Sequence, residues 1–233
     1  MRMNKNFTAI CAALLMCAIL LVFCGSLAIG KSVVTFADEG ESAQKTVYLT
    51  FDDGPSDRVT PKILDVLKEE KVKATFFIVG KNAEKRKYLL KREFNEGHTL
   101  GVHSYSHKYK DIYQSAESLL DDIDKCNRII KEVTGSLSTL YRFPGGSYGL
   151  GEEFITAVTS HGFQYVDWNA SMRDAEIENA TPEQLYEAAV ATSASANKVV
   201  LLAHDTTTKT ATAEALKDVI KYFKGKGYGF AAF

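Results

Sequence analysis

Val47-Tyr48-Leu49-Thr50-Phe51-Asp52-Asp53-Gly54-Pro55-Ser56 is the stretch on which the reading of this chain turns. An apolar β-run ends in two adjacent carboxylates and a Gly-Pro turn, an uncommon way to finish a strand. Successive strand residues point to opposite sides, so the two carboxylates are expected to do different jobs. One can hold a metal while the other handles a proton. Taken alone, Asp-Asp-Gly-Pro reads most simply as a turn, because these residue types dominate turns. Partners further along the chain argue for more.

After the first run at 47–52, β-like runs recur at 74–79, 99–103, 140–143, 164–168, 199–204 and 227–233. Helical stretches lie between them. One spans 60–70, with Ile63, Leu64 and Leu67 on one face. Another spans 116–133, with Leu119, Leu120, Ile123, Cys126, Ile130 and Val133 as its apolar stripe. A third starts at Thr181-Pro182, with Thr181 as N-cap and proline at the first helical position. The last covers 213–223. Strand–helix alternation implies a parallel sheet with right-handed crossovers. The expected fold is therefore α/β, a distorted (β/α) barrel of about seven parallel strands. Active sites of such barrels lie at the C-terminal ends of the strands. Asp52-Asp53, His103, Arg142, Asp167 and His204-Asp205 all fall at those ends. Scattered core or surface residues would have no reason to choose one end of five strands.

With 233 residues and a net charge of −1, the chain has room for one barrel plus an anchor, and no basic excess points to nucleic acid. Its apolar fraction excludes a disordered or fibrous class. Arg2 and Lys5 precede a stretch from Phe7 to Gly30 that carries no charge before Lys31. Residues 1–30 are expected to be a signal peptide or a signal-anchor helix, with the longer apolar run favouring the anchor. Basic residues before the span place the rest of the chain outside the cell membrane, or free of it after cleavage. Residues 31–44 read as a polar linker and 45–233 as the catalytic domain. Cys11, Cys17 and Cys24 lie in the apolar stretch, and the bulky Phe23 and Met16 before two of them argue against lipidation. Cys126 is the remaining cysteine, so no disulfide within the exported domain is expected, and its place on the apolar stripe makes it a core residue.

His103-Ser104-Tyr105-Ser106-His107 sets two imidazoles at i and i+4, on one side of the segment. Two imidazoles and a carboxylate make an open metal site, with Asp52 or Asp53 as the third ligand. No Glu follows His103, which separates the segment from the His-Glu-x-x-His metalloproteases. Arg142 precedes Phe143-Pro144-Gly145-Gly146, where a guanidinium can orient a carboxylate bidentately and the glycines admit close backbone approach. The apolar run Val199–Ala203 ends on His204. Jointly these match the requirements of metal-assisted hydrolysis.

In this order, Thr50–Ser56, His103–His107, Arg142–Gly146, Asp174 and Leu201–His204 resemble the five motifs of the polysaccharide deacetylases, carbohydrate esterase family four or the NodB-homology family. Lys73-Ala74-Thr75-Phe76-Phe77 is similar to that family's second strand. The resemblance covers about residues 45–233. It implies a metal-dependent deacetylase in which Asp52 is the general base and Asp53, His103 and His107 hold the metal, most naturally zinc, with cobalt or nickel as alternatives. Arg142 would hold Asp52, His204 would be the general acid, and Asp174 would tune it. Leu202 would line the acetyl pocket and the Gly145 N–H would polarise the carbonyl, with Tyr148 as a further substrate-binding residue. The implied substrate is an N-acetylated surface polysaccharide, peptidoglycan first, with chitooligosaccharides or acetylxylan as alternatives.

The fourth motif departs from the pattern. Asp174 takes the acid-tuning position, but Ala175 stands where the family has a groove-lining tryptophan. The chemistry is expected intact and the groove altered. Asp167 and Trp168 are another possible source of the same groups. A glycan-binding module without activity and a metal-dependent amidase are the rival classes.

Overall fold

The computed structural model of the chain describes residues 45–233. The readings of 1–30 as signal or anchor and of 31–44 as linker lie outside the described residues. Among the described residues no helix is long and apolar enough to cross a membrane.

The strands are β1 (Thr46–Asp52), β2 (Thr75–Val79), β3 (Thr99–Ser104), β4 (Leu140–Tyr141), β5 (Gln164–Tyr165), β6 (Ala170–Ser171), β7 (Lys198–His204) and β8 (Gly229–Ala231). They pair in parallel in the order β5-β4-β3-β2-β1-β7-β6, and β8 lies beside the first half of β1. The path ends on β5 and β6, so the barrel is a curled sheet with a seam between them. The helices are α1 (Thr60–Glu70), α2 (Gly80–Lys85), α3 (Lys87–Asn95), α4 (Tyr109–Ile112), α5 (Ala116–Thr134), α6 (Glu152–Ser160), α7 (Pro182–Ser193) and α8 (Thr210–Gly225).

The alternation along the strands assigns two faces. Val47, Leu49, Phe51, Phe76, Ile78, Val199, Leu201 and Ala203 join helix residues such as Ile63, Leu67, Ile123 and Val219 in the main core. The opposite parity turns inward, where Phe77, Val166 and Val200 pack with Tyr48, Leu140 and Trp168. Two layers of apolar side chains thus clamp the sheet, and the inner one floors the site.

The helix ends follow their local chemistry. Ser115 caps α5 by accepting the Ser118 N–H, and Gly135 closes it with a left-handed φ of 84°. Thr181 and Gln184 form a reciprocal capping box at the start of α7. Cys126 is fully buried on α5, donates to the Ile78 carbonyl at 3.2 Å, and has its thiol pKa pushed up by burial.

Some boundaries shift. β4 and β5 are two residues each; the Arg142 and Val166 N–H groups still donate to the Val102 and Tyr141 carbonyls, at 3.0 and 2.9 Å, and regular pairing ends there. β6 was not expected from its sequence. Its two residues are strand only because β7 lies alongside, pairing Ala170 with Leu201 and Ser171 with Leu202.

Candidate active site

Register and parity together build the site. Asp52 pairs with Phe77 on one side and with His204 on the other, so base and acid candidates stand at one level of the sheet. Asp52 shares parity with inward-facing Tyr48, and His204 shares it with Val200. His103 lies two positions after Gly101, whose missing side chain leaves room for the Phe77 ring: a Cβ there would stand 2.7 Å from it.

Arg142 is the buried hub. It is fully excluded from solvent. Its Nη1 donates to Asp52 Oδ1 at 2.9 Å and to Thr50 Oγ1 at 2.7 Å. Nε donates to the Val166 carbonyl at 2.9 Å and Nη2 to the Asp167 carbonyl at 3.1 Å. The guanidinium lies over the Phe77 ring, 4.1 Å from its centroid. Burial lowers its pKa against the opposing pull of Asp52. The expected two-pronged grip on the carboxylate is therefore single, since the other donors satisfy backbone carbonyls. Oδ2 of Asp52 receives no hydrogen bond from the described residues and stands 4.0 Å from His103 Nε2.

Asp53 does not continue the strand. Its φ of 76° folds the chain back, so both carboxylates approach His103 and do not diverge as strand geometry would have them. Three backbone ties hold this turn on the β2 side: Asp53 N–H to the Phe77 carbonyl at 3.2 Å, Val79 N–H to the Gly54 carbonyl at 3.0 Å, and Asn82 Nδ2 to the Asp53 carbonyl at 2.8 Å.

Asp53, His103 and His107 bring one ligand atom each to within 4.8 Å of one another. Asp53 Oδ1 is 3.0 Å from His107 Nε2 and 3.5 Å from His103 Nε2, and it is buried without a hydrogen-bond donor among the described residues. His103 Nδ1 faces the Arg142 carbonyl at 2.8 Å. That contact commits its proton to the carbonyl and leaves the Nε2 lone pair for a cation, the usual outer support of a metal-bound histidine. An orphaned carboxylate oxygen and two convergent imidazoles suit a divalent cation. Burial pushes the Asp53 carboxyl up, but the His107 imidazole and the charges of His103, His107 and His204 bring it down to about 2. Burial lowers the pKa of His103, while contact with Asp53 raises that of His107.

The i, i+4 pair is set by the last residues of β3, which carry His103, and by the turn that follows, which carries His107. His107 has a φ of 52°. Asp122 on α5 accepts the N–H groups of Tyr105 at 2.6 Å and Ser106 at 3.0 Å, together with the Ser104 hydroxyl. Ser104 Oγ in turn accepts the His107 N–H at 2.8 Å. Asp122 carried no signal in the sequence, where it reads as one more helix carboxylate.

His204 Nδ1 meets Asp174 Oδ1 at 2.7 Å, and Asp174 Oδ2 accepts the His204 N–H at 2.8 Å and the Thr212 hydroxyl at 2.8 Å. Burial lowers the His204 pKa, but the Asp174 hydrogen bond and charge, aided by Asp52 and Asp53, raise it to about 9. Asp167, the alternative, spends its carboxylate on the Ser147 N–H at 3.0 Å and on the Ser147 hydroxyl.

The rim is glycine-shaped. Gly145 and Gly146 have φ of 83° and 85°, and a Cβ would stand 3.2 Å from Tyr109 and 3.1 Å from Trp168, respectively. Gly145 N–H has no acceptor among the described residues. Tyr109 packs edge-on against His107 and is 48% exposed, and no motif in the sequence marks it. Leu202 lies at the inner face, nearly buried. Tyr148 stands fully in solvent, outside the ring contacts that fix Tyr109. Ala175 is exposed and lines a cavity of about 320 Å³ with Asp174, Thr208 and Lys209.

The sequence profile described as polysaccharide deacetylase matches residues 39–166. The peptidoglycan-N-acetylmuramic acid deacetylase of Bacillus subtilis is 34% identical over 192 residues, covering 82% of this chain and 71% of its own. A peptidoglycan-N-acetylglucosamine deacetylase of Bacillus cereus is 34% identical over 195 residues, covering 82% and 70%. Across these and another Bacillus subtilis relative, the chain spans 66–71% of the relative's length. Among solved structures, a Streptococcus mutans CE4 esterase superposes with a TM-score of 0.76 at 36% identity, covering 81% of this chain and 86% of that one.

The two adjacent carboxylates are separable by metal affinity. Asp53→Asn is expected to bind zinc more weakly, whereas Asp52→Asn keeps zinc and loses turnover by about 10²-fold or more. Chelator competition and turnover on the purified variants decide this, and zinc loss confined to Asp52→Asn reverses the assignment.

His204 gives a pH signature. Its folded pKa of about 9 lies above the ordinary 6.5, so pairing with Asp174 stabilises the fold fully below pH 6.5. That contribution fades as pH rises through about 9. Asp174→Asn should therefore destabilise the protein most at pH 6 and least above pH 9, and should move the alkaline limb of turnover downward. An unchanged limb contradicts the role given to Asp174.

Proposed function

The chain belongs to the polysaccharide deacetylase family, and on that premise we propose that it removes acetyl groups from N-acetylated amino sugars of peptidoglycan. One observation carries the reading. Two carboxylates side by side in sequence have different neighbours, Asp52 a buried guanidinium and Asp53 two imidazoles, while a cationic histidine stands level with them.

Asp53, His103 and His107 would hold the cation, for which the nitrogen and oxygen donors favour zinc, with cobalt and nickel as alternatives. When bound, a divalent ion supplies Lewis-acid polarisation of the acetyl carbonyl and a lowered pKa for water. Arg142 fixes Asp52 Oδ1 by its hydrogen bond, leaving Oδ2 to take the proton of the attacking water. The unengaged Gly145 N–H is suited to the oxyanion that forms as the C–O bond is made. His204, protonated at neutral pH and oriented by Asp174, delivers a proton to the leaving nitrogen as the C–N bond breaks. Acetate and a free amino sugar result. Tyr109 and Trp168 flank the Gly145-Gly146 shelf, where aromatic faces suit a sugar ring. They offer walls on a rim that carries Ala175 in place of an indole.

The peptidoglycan assignment rests on relatives that act on that polymer and on the apolar stretch from Phe7 to Gly30. We place that stretch as a membrane tether or export signal, with the domain outside. Wall glycan is the N-acetylated polymer within reach there.

Acetate release from N-acetylated peptidoglycan strands and from chitooligosaccharides, with and without chelator, tests the activity. Release abolished by chelator and restored by zinc is expected, faster on peptidoglycan. Binding without acetate would mark a glycan-binding module. The orientation is tested by adding protease to intact protoplasts, which should digest the domain while cytosolic proteins survive. A domain resistant until the membrane is permeabilised contradicts it.

A further inference from the structure

Asp205 follows the acid candidate His204 and is fully buried. Its main chain and side chain both face the turn after β1. The Asp205 N–H donates to the Asp52 carbonyl at 3.2 Å. Its carbonyl accepts the Ser56 hydroxyl at 2.6 Å, and Oδ2 accepts the Thr60 hydroxyl at 2.5 Å. Thr60 Oγ1 also accepts the Ser56 N–H at 2.7 Å, and Ser56 Oγ accepts the Val59 N–H at 3.2 Å. Asp205 thus bonds to Asp52, Ser56 and Thr60, on both flanks of the Asp53-Gly54-Pro55 turn.

Gly54 shows how close the approach is. A Cβ at Gly54 would lie 2.1 Å from Asp205 Oδ2 and 2.2 Å from Oδ1. Gly54 has no left-handed φ, so its glycine is required by the carboxyl packed against it and not by backbone strain. Asp205 Oδ1 is buried without a hydrogen bond among the described residues. Burial, reinforced by the charges of Asp53 and Asp52, raises the carboxyl's pKa to about 7 against the Thr60 hydrogen bond. Burying an under-satisfied carboxyl costs stability, so its presence calls for a return elsewhere.

That return is positional. Asp53 and Gly54 are tied to β2 and α2 by the three bonds described above. On the β7 side, every hydrogen bond from the turn residues 53–60 among the described residues ends on Asp205. β7 carries His204, and the turn carries Asp53. We propose that Asp205 is a positioning residue that locks the Asp53 turn to the end of β7. It thereby fixes the separation between the cation ligand Asp53, the base Asp52 and the acid His204. The inference rests on the deacetylase reading for its catalytic consequence, while its consequence for cation binding stands apart from that reading.

Four variants of the full chain test it: Asp205→Ala, Asp205→Asn, Thr60→Val and Thr60→Ser. Zinc affinity is read by chelator competition, kcat and KM on an N-acetylated oligosaccharide, and stability by the unfolding midpoint. Asp205→Ala should weaken zinc binding by about 10-fold or more, in line with loss of an outer support. It should lower kcat by about 10²-fold, as a misplacement of about 1 Å can, with KM within about twofold. Thr60→Val, outside the proposed catalytic and ligand residues, should move zinc affinity and kcat in the same direction. Because both changes cut the Thr60–Asp205 side-chain bond, the double variant should fall short of the sum of the two single effects. Asp205→Asn and Thr60→Ser keep the hydrogen bond and should recover most of the loss. Wild-type zinc affinity and kcat in Asp205→Ala overturn the proposal. So do strictly additive effects that follow only the unfolding midpoint. If Asp205→Ala does not fold, Thr60→Val decides: unchanged zinc affinity there overturns it. A wild-type protein that binds zinc but releases no acetate refutes the deacetylase reading alone.

Discussion

The buried pair of Arg142 and Asp52 is the constraint around which the site is arranged. A guanidinium with no solvent contact is tolerated only when its donors are met and a counter-charge lies beside it. Here Thr50, Val166 and Asp167 meet the donors and Asp52 supplies the charge. Removing either partner would strand the other, at a cost of about 3–5 kcal/mol. The pair therefore ties Asp52 Oδ1 to the guanidinium. Asp53, with no guanidinium beside it, faces His103 and His107, and on the proposed reading one ion pair separates the roles of neighbouring carboxylates.

The sheet converts this pair into a site. Parallel strands aligned in register bring their C-terminal ends to one level, and the two-residue alternation turns every second side chain inward. Asp52 and His204 face the same space because Thr50 pairs with Leu202 and Asp52 with His204. The Phe77 ring supports Arg142 from below. Packing and chemistry are thus the same layer of residues read at two heights.

This logic explains what could be read from the sequence. Strand ends carrying Asp52, His103, Arg142 and His204 were visible because apolar runs mark strands and the polar residues that finish them stand out. The helix at 60–70 and the α7 capping box were visible because their signals are local. Other features depend on contacts between distant segments and left no local trace. The left-handed φ of Asp53 turns a residue that strand geometry would send outward. Asp122 sits on a helix, yet organises the histidine loop. β6 exists only beside β7, and Tyr109 gains its place from the glycine at 145. Gly54, which reads as a turn residue, owes its lack of a side chain to Asp205, 151 residues away.

The division of labour between Asp52 and Asp53 is tested most directly by anomalous diffraction at the zinc edge from crystals of the zinc-loaded protein. The account predicts one peak, at about 2.0–2.2 Å from Asp53, His103 and His107, with Asp52 outside the coordination sphere and still on Arg142. A peak coordinated by Asp52, or a zinc ion bound elsewhere with the three residues unengaged, would contradict it.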